Sequence, residues 1–160
     1  MKVWGVTGWK NSGKTGLMER LVTEFTARGL TVSTLKHAHH SFDVDHEGRD
    51  SYRHREAGAT EVLLSSRNRW ALMHEMRGEG EASIDALLSK LSPVDLVLVE
   101  GFKRERHPKI EAHRGETGQP LIAPADQTVR AIASDSGVVG DGRPTFDLND
   151  TRAIADFIAA

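Results

Sequence analysis

The chain contains no cysteine. Disulfide scaffolding, thiol catalysis and thiolate metal sites are excluded with it. Long apolar runs are missing too: nothing approaches the ~18 consecutive residues of a transmembrane helix. The opening Met1-Lys2-Val3-Trp4-Gly5-Val6-Thr7 lacks the apolar stretch and small-residue cleavage site of a signal peptide, so the expected location is the cytoplasm, away from membranes. A one-signed charge is also absent. With 21 Lys+Arg against 23 Asp+Glu the net charge is −2, which leaves no broad basic field, and no nucleic-acid partner is expected. No internal repeat, low-complexity tract or flexible linker interrupts the chain, and its 160 residues suit a single domain over 1–160.

What is present is an alternation of apolar runs with helical patterns, the signature of an α/β fold with a mostly parallel sheet flanked by helices. Strands are predicted at Lys2–Thr7, Thr31–Lys36, Asp95–Glu100, Lys109–His113, Val129–Ser134 and Pro144–Leu148. Helices are predicted from Gly13 to about Arg28, stopped by Gly29, and over Glu47–Gly58, Ala82–Leu91 and a last segment to Ile158 capped by Asn149 or Asp150. Glu61–Ser65 and Trp70–His74, joined by Ser66–Arg69, read as an additional β-hairpin.

Gly8-Trp9-Lys10-Asn11-Ser12-Gly13-Lys14-Thr15 matches G-x-x-x-x-G-K-[ST] and lies where that motif needs to lie, after a strand and opening a helix. Such a P-loop curls its backbone N–H groups around phosphates, with the helix N-terminus behind them. Lys14 then reaches the β- and γ-phosphates of a nucleoside triphosphate, and the Thr15 hydroxyl completes the shell of Mg²⁺. Lys10 either adds charge there or is simply solvated.

A carboxylate at the end of an adjacent strand normally faces this loop and holds the metal. Glu100 fits, because it closes the most apolar run in the chain. Gly101 after it would let the backbone approach the phosphates, with Lys103 on the rim. The segment Lys36–Arg55 is dense in polar chemistry. The spacing of His37, His39 and His40 suits no known zinc loop. Asp45, with Asp43 as runner-up, is the best acidic candidate for Mg²⁺ and catalytic work. Lys36 and Arg53 can balance phosphate charge; equally, Arg49, Arg53 and Arg55 can be the exposed face of a charged helix.

Taken together, these segments resemble the MobB family, the molybdopterin-guanine dinucleotide biosynthesis adaptor proteins. The resemblance runs from the P-loop through Lys36-His37-Ala38-His39-His40, Asp45-His46-Glu47-Gly48-Arg49-Asp50-Ser51-Tyr52-Arg53 and Ala57-Gly58-Ala59 to Val99-Glu100-Gly101-Phe102-Lys103 and Ile132-Ala133-Ser134-Asp135. It implies a P-loop NTPase-like protein that binds GTP, hydrolyses it weakly, forms a homodimer through its sheet and assists a MobA-type guanylyltransferase, which joins GMP to molybdopterin in making the molybdenum cofactor. It also implies phosphate binding by Gly8–Thr15, a catalytic role for Lys14 and Asp45, and a metal near Thr15, Asp45 and Glu100. The chain carries no Asn-Lys-x-Asp motif, so no residue is assigned to guanine, and nothing is carried onto the segment after Ser134. The competing reading is a P-loop kinase of a nucleotide or small metabolite, with Arg104 and Arg106, beside Glu105 and His107, as the nearest thing to an arginine-rich lid. A third is a non-enzymatic interaction module whose loop holds only a structural anion.

Overall fold

The computed structural model describes residues 1–38, 42–138 and 142–160, so His39 and His40 lie outside the described residues. It separates into two compact units, Met1–His37 with Ile84–Ala160, and Ala38–Ser83.

The first unit is built on six parallel strands in the order β2-β5-β1-β6-β7-β8: β1 (Lys2–Thr7), β2 (Val32–Lys36), β5 (Leu96–Glu100), β6 (Lys109–His113), β7 (Val129–Ser134) and β8 (Thr145–Asp147). Register follows the two-residue period of the strands. Trp4 pairs with Leu98 and Val3 with Val97. Trp4, Val6, Leu96 and Leu98 pack beneath α1 (Lys14–Ala27) and α4 (Thr151–Ala159), while Val97 and Val99 meet Ile84 of α3 (Ile84–Leu88) on the other face. Being covered on both sides, β5 reads as an unbroken apolar run. Asp150 caps α4, its carboxylate accepting the Ala153 N–H at 3.0 Å, as expected of that position. Arg20 of α1 donates to the Thr151 hydroxyl of α4 at 3.0 Å and to the Leu148 carbonyl ahead of it at 2.7 Å, which ties the two helices together.

The second unit holds α2 (Asp50–Glu56) and the antiparallel hairpin β3 (Glu61–Ser65) with β4 (Trp70–His74). The helix is shorter than its charge pattern predicts, because Gly48 stands at φ +87° and the helix starts only after it. Likewise α3 stops before Leu91: the Lys90 and Leu91 N–H groups bond three residues back, tightening the chain ahead of Pro93. The loop expected between β6 and β7 carries two short 3₁₀ turns, Gly115–Thr117 and Ala123–Ala125. The fully buried Glu111 carboxylate accepts the Ile122 and Ala123 N–H groups at 2.7 and 2.8 Å, which is how a buried charge is accommodated at the head of the second.

His107 packs against β1, where a side chain on Gly5 would sit 2.6 Å from its Nε2. Neither ring nitrogen has a hydrogen-bond partner among the described residues. Burial, and then the Lys109 ammonium, push its pKa from 6.5 down to about 4. The folded pKa is the lower one, so this contribution to stability is complete above the unfolded value and is lost as pH falls from about 6.5 towards 4. Allowing for the ring's partial exposure to water, the loss is on the order of 2 kcal/mol. His107→Phe keeps a planar ring without titrating. In urea unfolding at pH 7 and pH 4.5, the wild type should lose that much more stability than the variant. Equal losses in the two proteins would refute the assignment.

Candidate functional site

The loop Gly8–Thr15 connects the C-terminal end of β1 to the first turn of α1, at the middle of the sheet. No side chain caps α1 and no acidic residue lies in its first turn, among the described residues. Its leading amides and the positive end of a 14-residue helix therefore face outward without a counter-charge of their own. The Thr7 and Ser12 hydroxyls are buried there and lack partners among the described residues. Beside them opens a cavity of about 490 Å³, floored by Asn11–Gly16 and walled by Arg114 and Glu116.

Lys14 folds back across the loop and donates to the Trp9 carbonyl at 2.6 Å. Desolvation lowers its pKa, opposed by the attraction of Glu100, while Lys103 and Lys36 lower it further. Three lysines and one carboxylate thus share a small volume. Lys36, at the end of β2, lies 3.7 Å from Glu100, and in register the two residues are Cα partners. Lys103 sits 5.1 Å above the Trp9 ring, whose Nε1–H donates to the Pro120 carbonyl at 2.8 Å. Net positive charge concentrated over unpaired amides attracts a polyanion, and a polyanion relieves the repulsion among the lysines.

Glu100 ends β5, and its side chain is 14% exposed. Gly101, which follows it, must be glycine on steric grounds alone. It holds φ +93°, and a Cβ there would meet the His37 Cβ at 2.7 Å. His37 in turn donates its backbone N–H to the Glu100 carbonyl at 2.9 Å and sets its ring 5.0 Å from that of Phe102. The position thus locks the end of β2 to the residue that follows β5.

Asp45 belongs to the second unit, where Arg55 grips both of its carboxylate oxygens, at 2.5 and 3.4 Å, and also reaches Glu75 at 3.1 Å. The Arg55 hydrogen bond holds the Asp45 pKa below the usual carboxylate range. Asp43 meets the same guanidinium at 3.2 Å. Arg55 is therefore committed to an ion cluster inside its unit, which removes it from the solvated helix face that the charge pattern also allowed.

Arg114 and Glu116 were not identified from the sequence. The signal that finds them is strand order: β6 lies next to β1, so whatever follows His113 lands beside the loop. Arg104 and Arg106 line a separate cavity of about 390 Å³ with Val3, Ile84 and Leu88. Among the described residues no helix is long and apolar enough to cross a membrane, and no group of three or more His, Asp or Glu is arranged to hold a metal ion.

Residues 3–135 match the family described as molybdopterin guanine dinucleotide synthesis protein B, MobB. The chain is 45% identical over 156 residues to a molybdopterin-guanine dinucleotide biosynthesis adapter protein of Haemophilus influenzae, covering 96% of this chain and 85% of that one. It is 41% identical over 153 residues to the corresponding protein of Escherichia coli, covering 94% and 87%. The crystal structure of a MobB protein homolog from Bacillus stearothermophilus superposes with a TM-score of 0.73 at 29% identity, over 99% of this chain and 96% of that one.

Proposed function

The chain belongs to the MobB family of adapter proteins in molybdopterin-guanine dinucleotide biosynthesis, and from that premise we propose that it holds GTP, with Mg²⁺, on the loop Gly8–Thr15. The observation that carries this reading is the uncapped helix N-terminus under three lysines and a single strand-end carboxylate, a site with net positive charge. Lys14 exchanges the Trp9 carbonyl for phosphate oxygens. The family's Mg²⁺ fits the donors present: a single strand-end carboxylate, Glu100, and the exposed Thr15 hydroxyl suffice for an ion that takes the rest of its shell from phosphate and water. When bound, Mg²⁺ supplies charge neutralisation between the phosphates.

The triphosphate is held more than it is turned over, and it serves a MobA-type guanylyltransferase that joins GMP to molybdopterin in the cytoplasm. A homodimer is supported by the hairpin. Leu63 and Leu72 are cross-strand partners at 63% and 44% exposure, and Trp70 beside them is 66% exposed. A two-stranded sheet with an uncovered apolar face is marginal alone and gains by burying that face in a second copy.

Titration calorimetry with GTP and ATP, with and without Mg²⁺, alongside sedimentation of the chain, tests this. GTP should bind more tightly than ATP, Mg²⁺ should strengthen binding, and the sedimenting mass should be that of two chains. Added to a MobA-type guanylyltransferase, the chain should raise guanylyl transfer. Rapid stoichiometric phosphorylation of a metabolite would establish the kinase instead.

A further inference from the structure

We infer that Arg114 is a second phosphate-binding residue, which receives the α-phosphate of the nucleotide and is held in reserve by Glu116. The inference rests on the phosphate reading of the loop and adds to it a direction for the nucleotide.

Arg114 follows directly on β6 and lies against the loop. A Cβ built on Gly13 would come within 3.1 Å of its Nε and 3.6 Å of its Nη2. It walls the same cavity as Thr15 and Gly16, the first turn of α1. Its neighbours hold its backbone in place. His113 bonds the Ser134 hydroxyl at 3.0 Å and the Gln119 carbonyl at 3.2 Å, and the Gly115 N–H donates to the Asp135 carboxylate at 2.9 Å. The guanidinium itself is less committed. It meets Glu116 at 3.4 Å, in a pair that is exposed on both sides and easily exchanged for a phosphate.

Strand order sets the direction. Lys36 ends β2 and Glu100 ends β5, both on one side of β1, whereas Arg114 follows β6 on the other side. Lys14 and Lys36, with the Mg²⁺ that Glu100 would hold, would take the β- and γ-phosphates, so the chain of phosphates leaves the loop towards β6 with its α-phosphate at Arg114. That is the phosphorus attacked in any nucleotidyl transfer. A guanidinium there is suited to bind two of its oxygens at once.

The test compares GTP with inorganic pyrophosphate, both with Mg²⁺, on the full chain. Arg114→Ala should weaken GTP about twentyfold and pyrophosphate less than about threefold, because a diphosphate on the lysine side does not reach Arg114. Arg114→Lys, which keeps the charge and loses the fork, should fall between wild type and alanine for GTP. Glu116→Gln should tighten GTP a few-fold, and should do nothing in the Arg114→Ala background. Lys14→Ala is the reference and should weaken both ligands. If Lys14→Ala acts on both while Arg114→Ala acts on neither, or on both equally, the Arg114 assignment is overturned and the loop reading stands. If Lys14→Ala changes nothing, the loop reading itself fails. Thermal melts of the Arg114 and Glu116 variants should stay close to the wild type, since the pair they break is exposed on both sides.

Discussion

Replacing Lys14 by alanine is expected to weaken triphosphate binding by more than tenfold, and by up to about a hundredfold, while the melting temperature stays nearly constant. Two features set the size of the effect. The ammonium is partly desolvated over the loop, so its hydrogen bonds to an anion are charge-assisted and poorly screened, and such bonds contribute roughly 1.5–3 kcal/mol each. About 1.4 kcal/mol is a factor of ten in affinity. The fold loses only the bond to the Trp9 carbonyl, and the mutation removes a cation that Lys36 and Lys103 repel. Calorimetric titration together with a thermal melt checks both halves. Wild-type affinity in the variant would dismiss Lys14 as a phosphate ligand, and a collapsed melt would show that it is structural.

Gly8→Ala is the variant expected to cost the most stability. A Cβ at residue 8 would lie 2.4 Å from the Ala112 carbonyl oxygen and 2.3 Å from the Ser12 hydroxyl, at a backbone φ of +148°. The serine can turn away. The Ala112 carbonyl cannot, because β6 is paired on both edges, to β1 and to β7. Relief therefore requires the loop to move off the sheet, at a cost of about 3 kcal/mol or more. For a chain of this size that lowers the melting temperature by roughly 6–12 °C. The moved loop also abolishes triphosphate binding. Gly16→Ala is the matched control. Its Cβ meets nothing nearer than the Arg20 Nη1, at an ordinary contact distance of 3.4 Å, and it lies inside α1, where alanine is favoured over glycine by about 1 kcal/mol. Gly8→Ala should melt well below wild type, and Gly16→Ala at or above it. Equal melting of the two variants would refute the steric account.

The elements that sequence reasoning located well are those whose determinants are neighbours in the chain. The passage from β1 through residues 8–13 into α1 is contiguous, and β5 announces itself because burial on both faces leaves no polar position to break the run. The hairpin is legible for the same reason, its two strands being four residues apart. Helix ends are less legible at α2 and α3. There a left-handed glycine and a tightened last turn, both local but conformational, shorten what the apolar and charge periods suggest.

Residues that meet across strands were not legible. Lys109 is a case in point: in sequence it is only the first residue of a predicted strand, yet it is fully buried. Its ammonium donates to the carbonyls of Glu105 and His107 and to the Thr128 hydroxyl, and Asp126 stands 3.9 Å away. Glu111 on the same strand is equally buried and equally satisfied. Each partner set is assembled from segments whose adjacency depends on how the loop after β6 returns to β7.

The division between the two levels is therefore one of range. Local pattern alone established an α/β chain whose first strand runs through a glycine-bounded turn into a helix. Which side chains surround that turn was decided by the crossovers that lay β5 on one side of β1 and β6 on the other, bringing Glu100 and Arg114 to a loop about a hundred residues earlier in the chain. Hydrogen bonding between strands is blind to side-chain identity, so only the packing of both sheet faces against α1, α3 and α4 selects that order.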